Sequence, residues 1–195
     1  MNEDKKSILN SKRNTLQLKL SVTKYYTEYI LDWMLLYRSW VRLPIHLKLV
    51  YLAVLEQEYK ENLIQIITDE GIISSKNAVD LIWTDFEKDV LKNLQLFFPS
   101  QKLLSYNPDL KSIGNYYIDH SNILKHFKDY DLSHTLVNLV YTRYAPVISL
   151  PLNEFINYFQ NFKMDDYYDD ILVFPADYSW LLFCTSDDEW SFGFR

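Results

Sequence analysis

Cysteine occurs once and glycine three times in 195 residues, and charged residues interrupt every apolar stretch. A lone Cys184 excludes an intrachain disulfide and a cysteine-based metal cluster, and it fits a reducing cytosol. Gly71, Gly114 and Gly193 stand too far apart to form a glycine-rich phosphate loop. No apolar run approaches the roughly 20 residues of a membrane-spanning helix. The opening MNEDKKSILNSKRN lacks the apolar centre of a signal peptide. A cytoplasmic protein with no membrane partner is expected. Positive charge is also scarce. The net charge of −6 argues against a phosphate-backbone binder, whose affinity comes mainly from Lys and Arg. The four histidines, His46, His120, His126 and His134, show no i, i+3 or i, i+4 pairing and no HExxH, so neither a metal nor a cofactor is expected. No GxSxG marks a nucleophile.

What is abundant is aromatic and, toward one end, acidic. Aromatic residues make up 16% of the chain, sixteen of them Tyr. Residues 1–65 hold ten Lys/Arg against seven Asp/Glu, whereas residues 131–195 hold three against ten. Stacking platforms for single-stranded nucleic acid need aromatics in a basic groove. Here the aromatic-rich end is the acidic one, so no nucleic-acid partner is expected.

Along the chain, residues 1–14 are polar and read as loose. Leu16, Leu18, Leu20 and Val22 alternate with Gln17, Lys19 and Ser21, the period of a half-buried strand at a sheet edge. From Thr23 the period lengthens, and Tyr26, Ile30, Trp33, Met34 and Tyr37 predict an amphipathic helix. Tyr25, Tyr26 and Tyr29 cannot all face inward on it. A second helix is expected to start near Pro44, through Leu47, Val50, Tyr51 and Val54 and on toward Gly71 as C′ residue. A third follows from Ser74 or Ser75, with Trp83 on its stripe, and stops before Pro99. Residues 99–118, rich in Pro, Ser and Asn, are the candidate internal boundary. A short helix capped by Ser121 comes next, then Thr135–Tyr144, whose apolar β-rich pattern fits a covered strand or a helix, and Pro146–Leu150, a short strand or extended run. Pro151 and Asn153 open a helix with Phe155, Ile156 and Phe159 inward.

The closing segment carries the clearest strand patterns. Ile171–Phe174 is an apolar run ended by Pro175. Trp180–Cys184 is continuously apolar, as in a strand covered on both faces. Trp190, Phe192 and Phe194 alternate with Glu189, Ser191 and Gly193. The fold class that follows is α+β, a single domain over residues 1–195. A mainly helical N-terminal half packs on an antiparallel sheet formed largely by the C-terminal third, and Leu16–Val22 returns to join that sheet.

Chemistry concentrates in the acidic residues. Asp165-Asp166 and Asp169-Asp170 flank Tyr167-Tyr168, and Asp187-Asp188-Glu189 forms the tip of the last hairpin before Trp190. The spacing lacks the central Gly and alternating oxygens of a calcium loop. Solvated loops explain such residues almost as well as a partner surface. In the second reading the carboxylates steer a basic protein toward aromatic anchors. Cys184, among Leu181, Leu182 and Phe183, reads as a buried small hydrophobe.

Phe174, Pro175, Trp180, Asp187, Asp188, Trp190, Phe192 and Gly193, preceded by the helix start at Pro151–Phe155, give this end a pattern similar to the SUKH and related bacterial immunity-protein families. The resemblance covers about sixty residues. It implies a compact α+β inhibitor, not an enzyme, that neutralises a cognate toxin. The expected partner is a basic toxin domain, contacted through Asp165, Asp166, Tyr167, Tyr168, Asp169, Asp170, Asp187, Asp188, Glu189 and Trp190. The alternatives are a hydrolase or metal-dependent enzyme using carboxylates with His120, His126 or His134, and a structural subunit that buries an apolar patch of its first helices.

Overall fold

The structure is a computed structural model that describes residues 3–51, 59–71, 92–94, 96–98, 110–141, 147–163 and 170–195. Its centre is a seven-stranded sheet: β1 (Lys48–Tyr51), β2 (Lys111–Asn115), β3 (Leu136–Tyr141), β4 (Val147–Pro151), β5 (Ile171–Pro175), β6 (Trp180–Cys184) and β7 (Glu189–Phe194). The spatial order is β1-β4-β3-β5-β6-β7-β2, and every neighbouring pair is antiparallel. The described helices are α1 (Glu3–Tyr25), α2 (Leu31–Trp40), α3 (Lys60–Asp69), α4 (Tyr116–Asp129), α5 (Leu152–Asn157) and α6 (Phe159–Phe162), with a π-helical turn, Tyr26–Ile30, joining α1 to α2. The chain is therefore α+β, with helices leading and most strands in the last third.

Strand alternation divides the apolar side chains between two cores. One face of the sheet presents Leu139, Tyr141, Ile148, Val173, Trp180, Leu182, Trp190 and Phe192 to the N-terminal helices and to α4, α5 and α6. The other presents Val140, Val147, Leu172, Phe174, Leu181 and Phe183 to Leu94, Phe98 and Leu110. β5 and β6 are buried at every position, as a continuous apolar run requires. Cys184 is fully buried, and burial pushes its thiol well above the ordinary range, with Asp188 and Asp170 adding to the rise. It is expected to resist a thiol reagent in native buffer and to react at the rate of unfolding in denaturant. Fast labelling of the folded protein would contradict this packing.

Three expectations are corrected. Leu16–Val22 is the last part of α1, and residues 3–14 are helical with it. Two residues turn a helix by about 200°, so alternating leucines occupy opposite helix faces. Leu18 and Val22 turn to the core, while Leu16 and Leu20 are exposed. The sheet edges are held by β1 and β2 instead. Lys48–Tyr51 is a strand, not the start of a helix from Pro44. Leu49 enters one core and Val50 packs on the other, a two-sided burial that a strand beside β4 supplies. Of the 99–118 candidate boundary, residues 99–109 lie outside the described residues, and the part from Leu110 onward holds β2 and the start of α4, which leaves that expectation untested. Finally, α4 is capped by Asn115, whose side chain accepts from the Tyr117 amide at 3.0 Å, and not by Ser121. Ser121 follows a kink at Asp119, whose carboxylate accepts from the Asn115 amide. Gly114 is required there: its φ is +139°, and a Cβ would come within 2.9 Å of the Asp119 side chain.

Other features agree with the residue pattern. Gly71 takes the left-handed C′ conformation after α3, at φ +65°. Tyr25 and Tyr26 are buried while Tyr29 is exposed. Val22, Tyr26, Ile30 and Met34 recur strictly every four residues and are all buried. At 3.6 residues per turn such a stripe drifts off the core by about 40° per step. The wide turn at Tyr26–Ile30 returns it to phase. Trp33 and Trp40 are core residues, and the Trp40 indole donates to the Asn161 carbonyl at 2.7 Å. Trp83 and the start of the third predicted helix lie outside the described residues.

Candidate functional site

The turn from β6 to β7 brings Asp187, Asp188 and Glu189 beside Lys163 and Asp170, the residues on either side of the 164–169 segment. Thr185 organises it: its backbone amide donates to the Glu189 carbonyl, its carbonyl accepts from the Asp188 amide, and its hydroxyl accepts from the Glu189 amide. Asp188 takes a left-handed conformation at φ +63°, which Asp tolerates better than most residues. That conformation directs its side chain inward. The carboxylate is 4% exposed and pairs with Lys163 Nζ at 2.7 Å, and the ammonium lies 5.4 Å from the centre of the Tyr117 ring. The Asp188 carbonyl accepts from the Tyr116 amide, which ties the turn to the start of α4.

Trp190 follows two residues later and is fully buried. Its indole stacks against Tyr116 at 5.5 Å and Phe155 at 6.1 Å and meets Phe159 edge-on at 4.9 Å. Burial raises the Tyr116 phenol above its ordinary pKa, with the Asp188 and Tyr117 charges adding to the rise. Asp188 Oδ1 and Trp190 Nε1 are buried without a hydrogen-bond partner among the described residues. The Lys163 pair is therefore what compensates the buried carboxylate.

These positions correct two of the expected contact residues. Asp188 and Trp190 are interior and cannot meet a partner in this conformation; their work is to hold the turn. Asp187 and Glu189 are exposed at its tip, and Asp170 is half-buried, accepting from the Ser186 amide at 3.1 Å. Asp165, Asp166, Tyr167, Tyr168 and Asp169 lie outside the described residues. Both residues flanking that segment are tied to the turn, Lys163 through Asp188 and Asp170 through Ser186. Asp170 and the Asp187–Glu189 tip, separated in sequence, thus share one end of the sheet. Lys163 was missed by sequence reasoning, although one signal existed: it is one of only three cations in residues 131–195.

A concavity lies toward the other end of β7. A groove of about 750 Å³ opens between α4 and the β2–β7 edge, lined by Lys111, Lys125, His126, Asp129, Tyr130 and Phe192 among others. The His126 ring meets Phe127, Tyr130 and Phe192 edge-on, and burial lowers its pKa against the opposing pull of Asp129. No histidine in this groove is hydrogen-bonded to a carboxylate among the described residues. The close pair of that kind is His46 Nδ1 with Glu154 at 2.6 Å, on a histidine side chain that is 87% exposed. His120 packs on Tyr116, and His134 is exposed. No group of three or more His, Cys, Asp or Glu among the described residues is arranged to hold a metal ion.

Comparison with known proteins returns no match to a family model, a curated protein or a solved structure.

Proposed function

We propose that the protein is a protein-binding module, an immunity-type inhibitor that covers a basic surface of a cognate toxin. The observation that carries this reading is the convergence of Asp187, Glu189 and the flanks of the 164–169 segment on one anchored turn. A fixed backbone lowers the ordering cost of binding. Exposed carboxylates on such a turn supply electrostatic steering. The resemblance to the SUKH group agrees with an inhibitor rather than a catalyst.

The test uses the product of the adjacent gene as binding partner. Asp187→Lys with Glu189→Lys is expected to weaken the complex at least tenfold at low salt, mainly through slower association, and the loss should shrink as salt rises. Both side chains are exposed, so unfolding does not confound the result. An unchanged affinity with intact circular dichroism would remove this surface from the proposal. A second reading, a hydrolase using His126 and Asp129, rests on the groove that both residues line. Turnover lost on His126→Ala, with the adjacent gene product unbound, would favour it.

A further inference from the structure

The first helix carries a feature that the sheet does not use. Residues 5–17 of α1 are exposed at every position, a length of about 20 Å at 1.5 Å per residue. At about 100° per residue, Leu9, Leu16 and Leu20 fall within roughly 40° of one another. They are 58%, 60% and 63% exposed. Lys5, Lys12 and Lys19 line one side of this leucine stripe, and Lys6, Arg13 and Lys24 line the other; all six are exposed. Leu18 and Val22, which pack on the core, lie on the opposite side of the helix. The stripe therefore faces away from the body.

Charge is divided the same way. Glu3–Tyr25 holds six Lys/Arg against two Asp/Glu, a net +4 in a chain whose total is −6, so the remainder carries −10. A narrow apolar stripe between two rails of cations differs from the broad apolar patch of a subunit interface. A second copy of α1 would set cations against cations along both flanks. An acidic protein groove would need two carboxylate rows either side of an apolar trough. An anionic lipid surface offers both components without such a match: acyl chains for the leucines and headgroup charge for cations that reach sideways and up.

We propose that α1 is a peripheral membrane anchor that lies along an anionic bilayer surface, Leu9, Leu16 and Leu20 dipping below the headgroups and the six cations holding lipid phosphates and carboxylates. The acidic body, repelled by the same surface, is held on the far side and keeps α1 as the contacting element. No helix among the described residues is long and apolar enough to cross a membrane. Lying along a surface needs no such length, so the expectation of no membrane partner is revised for this helix. With so narrow a stripe, binding is reversible and salt-sensitive.

The experiment is co-sedimentation of the full chain with phosphatidylcholine vesicles, with and without one-third phosphatidylserine. Binding is expected only to the anionic vesicles at low salt, and should fall more than tenfold for Lys12→Glu with Arg13→Glu. Leu16→Ser with Leu20→Ser should lower it by about tenfold, because the stripe loses two of its three inserted side chains. All four positions are exposed, and circular dichroism checks that the helix persists. The Asp187→Lys/Glu189→Lys variant should keep or strengthen vesicle binding, which separates this proposal from the inhibitor reading. Three results would overturn it: no binding to anionic vesicles at low salt, no effect of the leucine substitutions, or a lipid-free dimer in sedimentation velocity that those substitutions abolish. The last would assign the stripe to a second copy of the chain.

Discussion

Replacing Trp190 by alanine is expected to destabilise the fold by about 3–5 kcal/mol, the range for removing a large buried aromatic. The residue is fully buried, and its indole contacts Tyr116 on α4, Phe155 on α5 and Phe159 on α6. Truncation removes the piece that those three helices share, and a site walled by three rigid elements collapses poorly. Trp190→Phe should recover much of the loss, since a ring still fills part of the space and the indole N–H has no hydrogen-bond partner among the described residues. Equilibrium urea unfolding measures both. A loss under about 1 kcal/mol for Trp190→Ala would return this residue to the surface role that its sequence position suggested.

The second large effect is expected at the buried ion pair. Lys163→Ala removes the cation paired with the Asp188 carboxylate, 4% exposed in the native fold and without another charged partner among the described residues, a change that typically costs about 3–5 kcal/mol. Asp188→Asn should cost less, because an amide oxygen can still accept from Lys163 and Asn also tolerates a φ of +63°. Combining Asp188→Asn with Lys163→Met should restore part of the stability lost in Lys163→Ala, since no buried charge remains. A double-mutant cycle in urea therefore predicts strong non-additivity. Additive effects would show that the two groups do not depend on each other.

The pair also bears on recognition. Lys163 and Asp170 bracket the 164–169 segment, and both are fastened to the β6–β7 turn. Lys163→Ala is a substitution at a positioning residue: it should loosen the acidic surface without removing any of its exposed carboxylates. If the proposed inhibitor reading holds, its effect on affinity for the partner should accordingly exceed that of neutralising an exposed rim charge such as Glu189.

Much of the sheet was legible because its signals are local. Ile171–Pro175, Trp180–Cys184 and Glu189–Phe194 are strands where alternation and continuous burial place them. The Gly71 C′ position follows from glycine's freedom at positive φ, which is equally local. Leu16–Val22 misled for a physical reason. A period of two is shared by a strand and by a helix with apolar residues on opposite faces, and seven residues do not separate the two. Lys48–Tyr51 erred in the other direction, since its helix-like spacing yielded to pairing with β4.

By itself, then, the sequence determined the α+β class, the strand-forming character of its closing segment, the burial of Cys184 and the concentration of negative charge in its last third. Each depends on composition or on neighbours within a few residues. Tertiary structure alone decided which acidic residues face solvent. Asp187, Asp188 and Glu189 are chemically alike in sequence, yet a left-handed turn sends Asp188 inward to a lysine twenty-five residues away and leaves its neighbours exposed. The same dependence on distant packing turned Trp190 from a candidate anchor into the contact shared by three helices. It also decided which leucines of α1 meet the core and which face away, because the body covers only one side of that helix.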